Sequence, residues 1–217
     1  MNTIRLMSQN QWNVVNNLDH WAEKGLDCSA ETRMKGHIQI FKDIMPDIVG
    51  GQEVNIQMQY FFKFYCMEEN LPYTIIWGNM TPIIYRADKF ELLDTEYVLY
   101  PAHVDGYEGG FCDAKSKSCN VGVFRNKADG KVFVFATTHL WWQSDQVLPG
   151  SSEVRRLQIK QAAGLIAKYQ AKYSGCPAIL VGERDIPEGA VRRFDRYCPD
   201  YYLVISDHAP VYIDLAL

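Results

Sequence analysis

The chain has no CxxC pair. Its six cysteines, Cys28, Cys66, Cys112, Cys119, Cys176 and Cys198, are scattered, which argues against a thiolate zinc site. Cys112 and Cys119 lie close enough in sequence to bridge a loop in an oxidising compartment, but unpaired thiols are the expectation. Positive charge is also scarce. Lys and Arg number 22 against 26 Asp and Glu, a formal net charge of -4. Non-specific affinity for nucleic acid comes mostly from phosphates neutralised by Lys and Arg, so a sticky nucleic-acid binder is disfavoured. A local basic rim stays compatible with that balance. No apolar run approaches membrane-spanning length, and the first residues lack the apolar stretch of a signal peptide. A cytoplasmic protein without a membrane span is the default expectation, a trimmed signal peptide being the exception. Low-complexity segments and linkers are missing too.

What is present is an ordinary globular balance. The 217 residues are 47% hydrophobic and 22% charged, enough for one large domain over 1–217 with a sizeable core. Aromatics make up 13%, which suits large packed surfaces or a cleft. A loose internal repeat organises the chain. In its first copy a strand, Ile4-Arg-Leu-Met-Ser8, runs into a polar turn with Trp12. A helix-like stretch from Glu31 to Ile44 follows and stops at Pro46. The strand Asp47-Ile-Val-Gly-Gly-Gln52 then delivers Glu53. In the second copy Val132-Phe-Val-Phe-Ala136 runs into Thr-Thr-His-Leu-Trp-Trp. A helix from about Glu153 to Tyr173 follows, with Ile159, Ala162, Ala163, Ile166 and Tyr169 able to share a face. Gly175 and Pro177 end it, and Ala178-Ile-Leu-Val-Gly182 delivers Glu183. Further strands are predicted at Tyr73–Trp77, Pro82–Arg86, Tyr97–Tyr100 and Asn120–Arg125, and the chain closes with Ser206-Asp-His-Ala-Pro-Val-Tyr-Ile-Asp-Leu, a strand with a polar entrance. The strand Ala178–Gly182, apolar on both faces, is expected in the middle of a sheet. Trp77 is expected in the core.

Five segments, in order, resemble the motifs of the endonuclease/exonuclease/phosphatase superfamily. Ser8-Gln-Asn10-Gln-Trp12 is similar to its first-strand asparagine motif. Asp47-Ile-Val-Gly-Gly-Gln-Glu53 resembles its strand ending in Gln-Glu, and Thr138-His139-Leu140 its Thr-His-Leu. Ala178-Ile-Leu-Val-Gly182 resembles the strand before its Asp-x-Asn. Ser206-Asp207-His208-Ala-Pro210 is similar to its closing Ser-Asp-His-x-Pro. Singly each motif is weak; in this order they are specific. The resemblance implies an α/β fold, a four-layer α-β-β-α sandwich of two mixed sheets, DNase I-like. It also implies hydrolysis of a phosphodiester or phosphomonoester with Mg²⁺ or Mn²⁺.

Alone, Glu53 reads as a solvated loop acid and Asn10 as a turn cap. In the family setting Glu53 is a hard oxygen ligand for the metal, and Asn10 helps to hold the metal by aligning that carboxylate or a metal-bound water, or contacts substrate. His139 binds a phosphate oxygen and stabilises charge gained in the transition state. His208 handles the proton, since its pKa lies near operating pH, and Asp207 lies near metal or water. Where the family has Asp-x-Asn this chain has Glu183-Arg184-Asp185. Either Glu183 stands in for the water-activating carboxylate and Asp185 for the substrate-binding Asn, or a family segment is missing after about residue 182–187. The second reading is preferred, because only residues 186–205 separate the last two motifs. Arg192, Arg193 and Arg196 with Tyr197, Tyr201 and Tyr202 could line a nucleic-acid strand; a solvated face is the plainer reading. The expected partner is a phosphorylated substrate, nucleic acid or small phosphoester. The alternative is an impaired family remnant that binds a phosphorylated ligand or a protein.

Overall fold

Alternation along the first strand sets the layers. In β1 (Thr3–Asn10) the side chains of Ile4 and Leu6 point to one face and Met7 to the other, as a period of two requires. A computed structural model describes residues 3–13, 23, 25, 27, 29–182 and 211–216. The chain continues through α1 (Ala30–Ile44), β2 (Ile48–Gln52), α2 (Ile56–Glu68), β3 (Tyr73–Ile76), β4 (Ile83–Arg86) and β5 (Phe90–Leu99). It closes with β6 (Ser118–Asn126), β7 (Val132–His139), α3 (Ser151–Lys172), β8 (Ala178–Gly182) and β9 (Val211–Ala216). Two mixed sheets result, with strand orders β3-β4-β2-β1-β9 and β5-β6-β7-β8. Ile4, Leu6, Ile48, Ile83, Phe124, Phe133 and Phe135 fill the layer between them. Helices α1 and α2 cover the outer face of the first sheet over Met7, Val49 and Ile84. Helix α3 covers the second over Val121, Val123, Val134 and Ala136. This is the four-layer α-β-β-α sandwich expected from the motifs.

The internal repeat is real in three dimensions. β1-α1-β2 and β7-α3-β8 each close on a parallel strand pair, ending at Asn10 against Gln52 and at Thr138 against Gly182. The sheets approach so closely at Gly50 that an added Cβ would lie 2.4 Å from Val181 Cγ2 and 2.7 Å from Thr137 Oγ1. Gly50→Ala is therefore expected to destabilise the protein by about 1–3 kcal/mol, the usual range for overpacking. A urea midpoint matching wild type would show that the sheets can spread.

Several expectations need correction. β8 pairs with β7 among the described residues, and the expectation of a neighbour on its other side lies outside them. Trp77 is 40% exposed and lies against Tyr60, because Ile76 before it takes the inward place. On α3, Ile159 is 40% exposed and Ala163 faces solvent, while Val154, Gln158, Ala162, Leu165, Ile166 and Tyr169 form the buried face. Helix α2 was not expected at all. Its sequence is apolar nearly all round, which hides the helical period, but Asn55 marks its start by accepting the Met58 N–H at 3.0 Å. Cys66, Cys112, Cys119 and Cys176 are free thiols. No helix among the described residues is long and apolar enough to cross a membrane.

Candidate active site

Toward one rim the inter-sheet layer turns from apolar to polar. Gln52 donates to Thr137 Oγ1 across the sheets at 2.9 Å. Thr81 and Ser118 share a hydroxyl hydrogen bond of 2.7 Å, and Asn120 donates to the Thr81 carbonyl at 3.0 Å. These groups are buried and bonded, so they form a rigid floor rather than a wet gap.

Above this floor the chain ends of β1, β2 and β7 deliver three of the expected residues to one place. Asn10 Nδ2 donates to Glu53 Oε1 at 3.2 Å, and the Asn13 backbone N–H donates to Glu53 Oε2 at 3.2 Å. His139 Nε2 lies 3.8 Å from Glu53 Oε1. The carboxylate is thus gripped on both oxygens and faces an imidazole. Asn10 Oδ1 accepts the Trp12 N–H at 2.8 Å, so its amide nitrogen is the group turned to Glu53. That orientation suits alignment of the carboxylate.

Both turns into the site are strained. Glu53 has φ 55° and Trp12 φ 50°, a conformation that costs a non-glycine residue on the order of 1–3 kcal/mol. Such strain persists only where surrounding bonds hold it. Asn55 contributes, donating from Nδ2 to Asn13 Oδ1 at 2.9 Å while it caps α2.

The fourth member of the cluster went unseen in the sequence. Lys117 is 3% exposed, and its Nζ lies 2.8 Å from His139 Nε2. An ammonium can only donate, so a charged Lys117 leaves His139 accepting at Nε2 and carrying its proton on Nδ1. No motif marks Lys117. The antiparallel register that sets Ser118 opposite His139 brings it there, and that register is not readable from local pattern. Trp141 is buried against Phe111, and Trp142 is 64% exposed and donates to Asp113 at 2.9 Å.

Glu183, Asp185, Asp207 and His208 lie outside the described residues, and so does the junction after Gly182. Burial pushes the thiols of Cys66 and Cys119 up to about 12, so neither offers a thiolate near neutral pH. A groove of about 610 Å³ between α2 and β3, lined by Phe62, Cys66, Tyr73 and Trp77, shares no residue with the Glu53 cluster. Among the described residues no three His, Cys, Asp or Glu side chains gather as a metal-binding group. One carboxylate joined by waters and substrate oxygens is the manner in which Mg²⁺ is usually held, and Glu53 fits that donor set.

No family model matches the chain, and no curated protein matches it. Solved structures do. An endonuclease/exonuclease/phosphatase from Bacteroides vulgatus is similar over 94% of this chain and 71% of its own, with 22% identity and a TM-score of 0.61. A mannosyl-6-phosphatase from Bacteroides thetaiotaomicron is similar over 82% of this chain and 64% of its own, with 21% identity and a TM-score of 0.56. TDP2 from D. rerio, complexed with single-strand DNA product, is similar over 85% and 63%, with 17% identity and a TM-score of 0.52. The chain therefore has the endonuclease/exonuclease/phosphatase fold. It spans 63–71% of the length of these three chains.

Proposed function

We propose that this chain, with its endonuclease/exonuclease/phosphatase fold, is a divalent-metal-dependent phosphoesterase. It hydrolyses a phosphodiester or phosphomonoester by in-line attack of water. The observation that carries this reading is the Glu53 carboxylate, held on both oxygens by Asn10 and the Asn13 N–H, with His139 and Lys117 beside it. Glu53 would hold Mg²⁺ or Mn²⁺, whose Lewis acidity polarises the phosphoryl group. Asn10 keeps the carboxylate aligned. Lys117 supplies positive charge and N–H donors for the phosphate oxygens, in a place where burial strengthens them, and His139, accepting from its ammonium at Nε2, holds that charge beside the phosphate site. His208 handles the proton, with Asp207 beside it near metal or water. Glu183 activates the water and Asp185 contacts the substrate if they replace the family's Asp-x-Asn. The fold is shared by a mannosyl-6-phosphatase and by a protein solved with a DNA product, which supports phosphoester chemistry of either size. The net charge of -4 favours a small phosphoester over a long polyanion.

The test is turnover of p-nitrophenyl phosphate and of its bis ester, with Mg²⁺ or Mn²⁺ and then with a chelator. Metal-dependent turnover that Asn10→Ala lowers supports the proposal; turnover indifferent to chelation overturns it. A second reading rests on Glu183-Arg184-Asp185 and on the span of 63–71%. In it the chain binds a phosphorylated ligand without cleaving it. Phosphate binding at the Lys117 site with no turnover would select that reading.

A further inference from the structure

Arg33 is wholly buried on α1. Its Nη2 donates to the carbonyls of both Gln11 and Trp12. Each of these carbonyls belongs to a peptide unit whose other end is already in the site. The peptide from Gln11 to Trp12 ends in the Trp12 N–H, which holds Asn10 Oδ1 at 2.8 Å. The peptide from Trp12 to Asn13 ends in the Asn13 N–H, which holds Glu53 Oε2 at 3.2 Å. In a planar trans peptide the C=O and N–H point in opposite directions. A cation that fixes two successive carbonyls therefore aims two successive N–H groups the other way.

We infer that Arg33 is the positioning residue of this site. Through two peptide groups it orients the Asn10 amide and the Glu53 carboxylate, and it holds Trp12 in the left-handed turn that this needs. Charge-assisted hydrogen bonds are the strong ones, and linked bonds polarise one another, so the guanidinium strengthens both N–H donors as well as aiming them. The rest of the back layer anchors the same loop. His37, one helical turn after Arg33, lies 3.0 Å from Gln9 Nε2 through its Nδ1, and the Gln11 N–H donates to the Gln52 carbonyl at 2.9 Å. Lysine at position 33 would be a poor substitute, because a freely rotating ammonium lacks the guanidinium plane that fixes the directions of both Nη2 N–H bonds.

Two measurements test this, and the activity arm alone rests on the phosphoesterase proposal. The first is amide hydrogen exchange. In wild type the Trp12 and Asn13 amides should be protected like helix amides. In Arg33→Lys and Arg33→Ala they should exchange like open loop amides, with α1 still protected. Unprotected amides in wild type, or amides that stay protected in a folded variant, would each overturn the inference. The wild-type result decides even if a variant does not fold. The second is turnover. Supporting groups of this kind are worth about 10–100-fold. The loss in Arg33→Lys should fall on kcat with KM little changed, and guanidinium ion should restore part of it to Arg33→Ala. A loss wholly in KM, or no restoration with the variant folded, counts against positioning. Wild type that is inactive yet protected at Trp12 and Asn13 sinks the phosphoesterase proposal and leaves the positioning inference standing.

Discussion

Glu53→Gln is expected to lose both turnover and the metal-dependent rise in melting temperature. The amide keeps the size of the side chain and one acceptor oxygen, so Asn10 Nδ2 or the Asn13 N–H still finds a partner. What disappears is the negative charge that a hard cation requires. An ion bound only to the folded state at a hundred times its dissociation constant stabilises by about 2.7 kcal/mol. For a chain of this size that corresponds to roughly 5–11 °C. Wild type should show such a shift with Mn²⁺ or Mg²⁺, and Glu53→Gln should show none. Metal polarisation supplies several kcal/mol at the transition state, so turnover should fall by about 10²-fold or more. The two readouts separate the causes. If the thermal shift survives in Glu53→Gln, the cation binds elsewhere. If the shift goes and turnover stays, the cation at Glu53 is structural and the metal-dependent mechanism is wrong.

The sequence pointed to the residues that local motifs bring to one rim and missed those whose place depends on distant register. Asn10, Glu53 and His139 were readable because each ends a strand in a short motif, and strands of a parallel pair end at the same rim. The βαβ repeat was readable for the same reason, since its strand, helix and strand follow one another directly. Lys117 was hidden, because its meaning comes from the pairing of β6 with β7 rather than from its neighbours in sequence. Arg33 was hidden behind an unremarkable amphipathic helix; only the buried carbonyls of Gln11 and Trp12 show what its charge is for. Helix α2 escaped because apolar residues on every side erase a 3.6-residue period. Its outer stripe, Ile56, Tyr60, Phe64 and Met67, is more than half exposed, so hydrophobicity there did not report burial.

Lys117→Met should separate electrostatics from packing at the same site. Methionine keeps the length and apolar stem of lysine and removes the charge. Taking an ammonium out of water costs several kcal/mol after relaxation, so the folded protein should be no less stable without it. The cost should appear in catalysis. Removing one preorganised donor aimed at developing charge lowers kcat by about 10²–10³-fold. His139 loses its cationic neighbour at Nε2 in the variant, so part of that fall passes through the imidazole. A phosphomonoester is a dianion near neutral pH and a diester a monoanion. Coulomb energy scales with the product of charges, so Lys117→Met should harm monoester turnover more than diester turnover. Unchanged kcat on both substrates would remove Lys117 from the site. An equal fall on both, with a lower melting temperature, would assign it to packing alone.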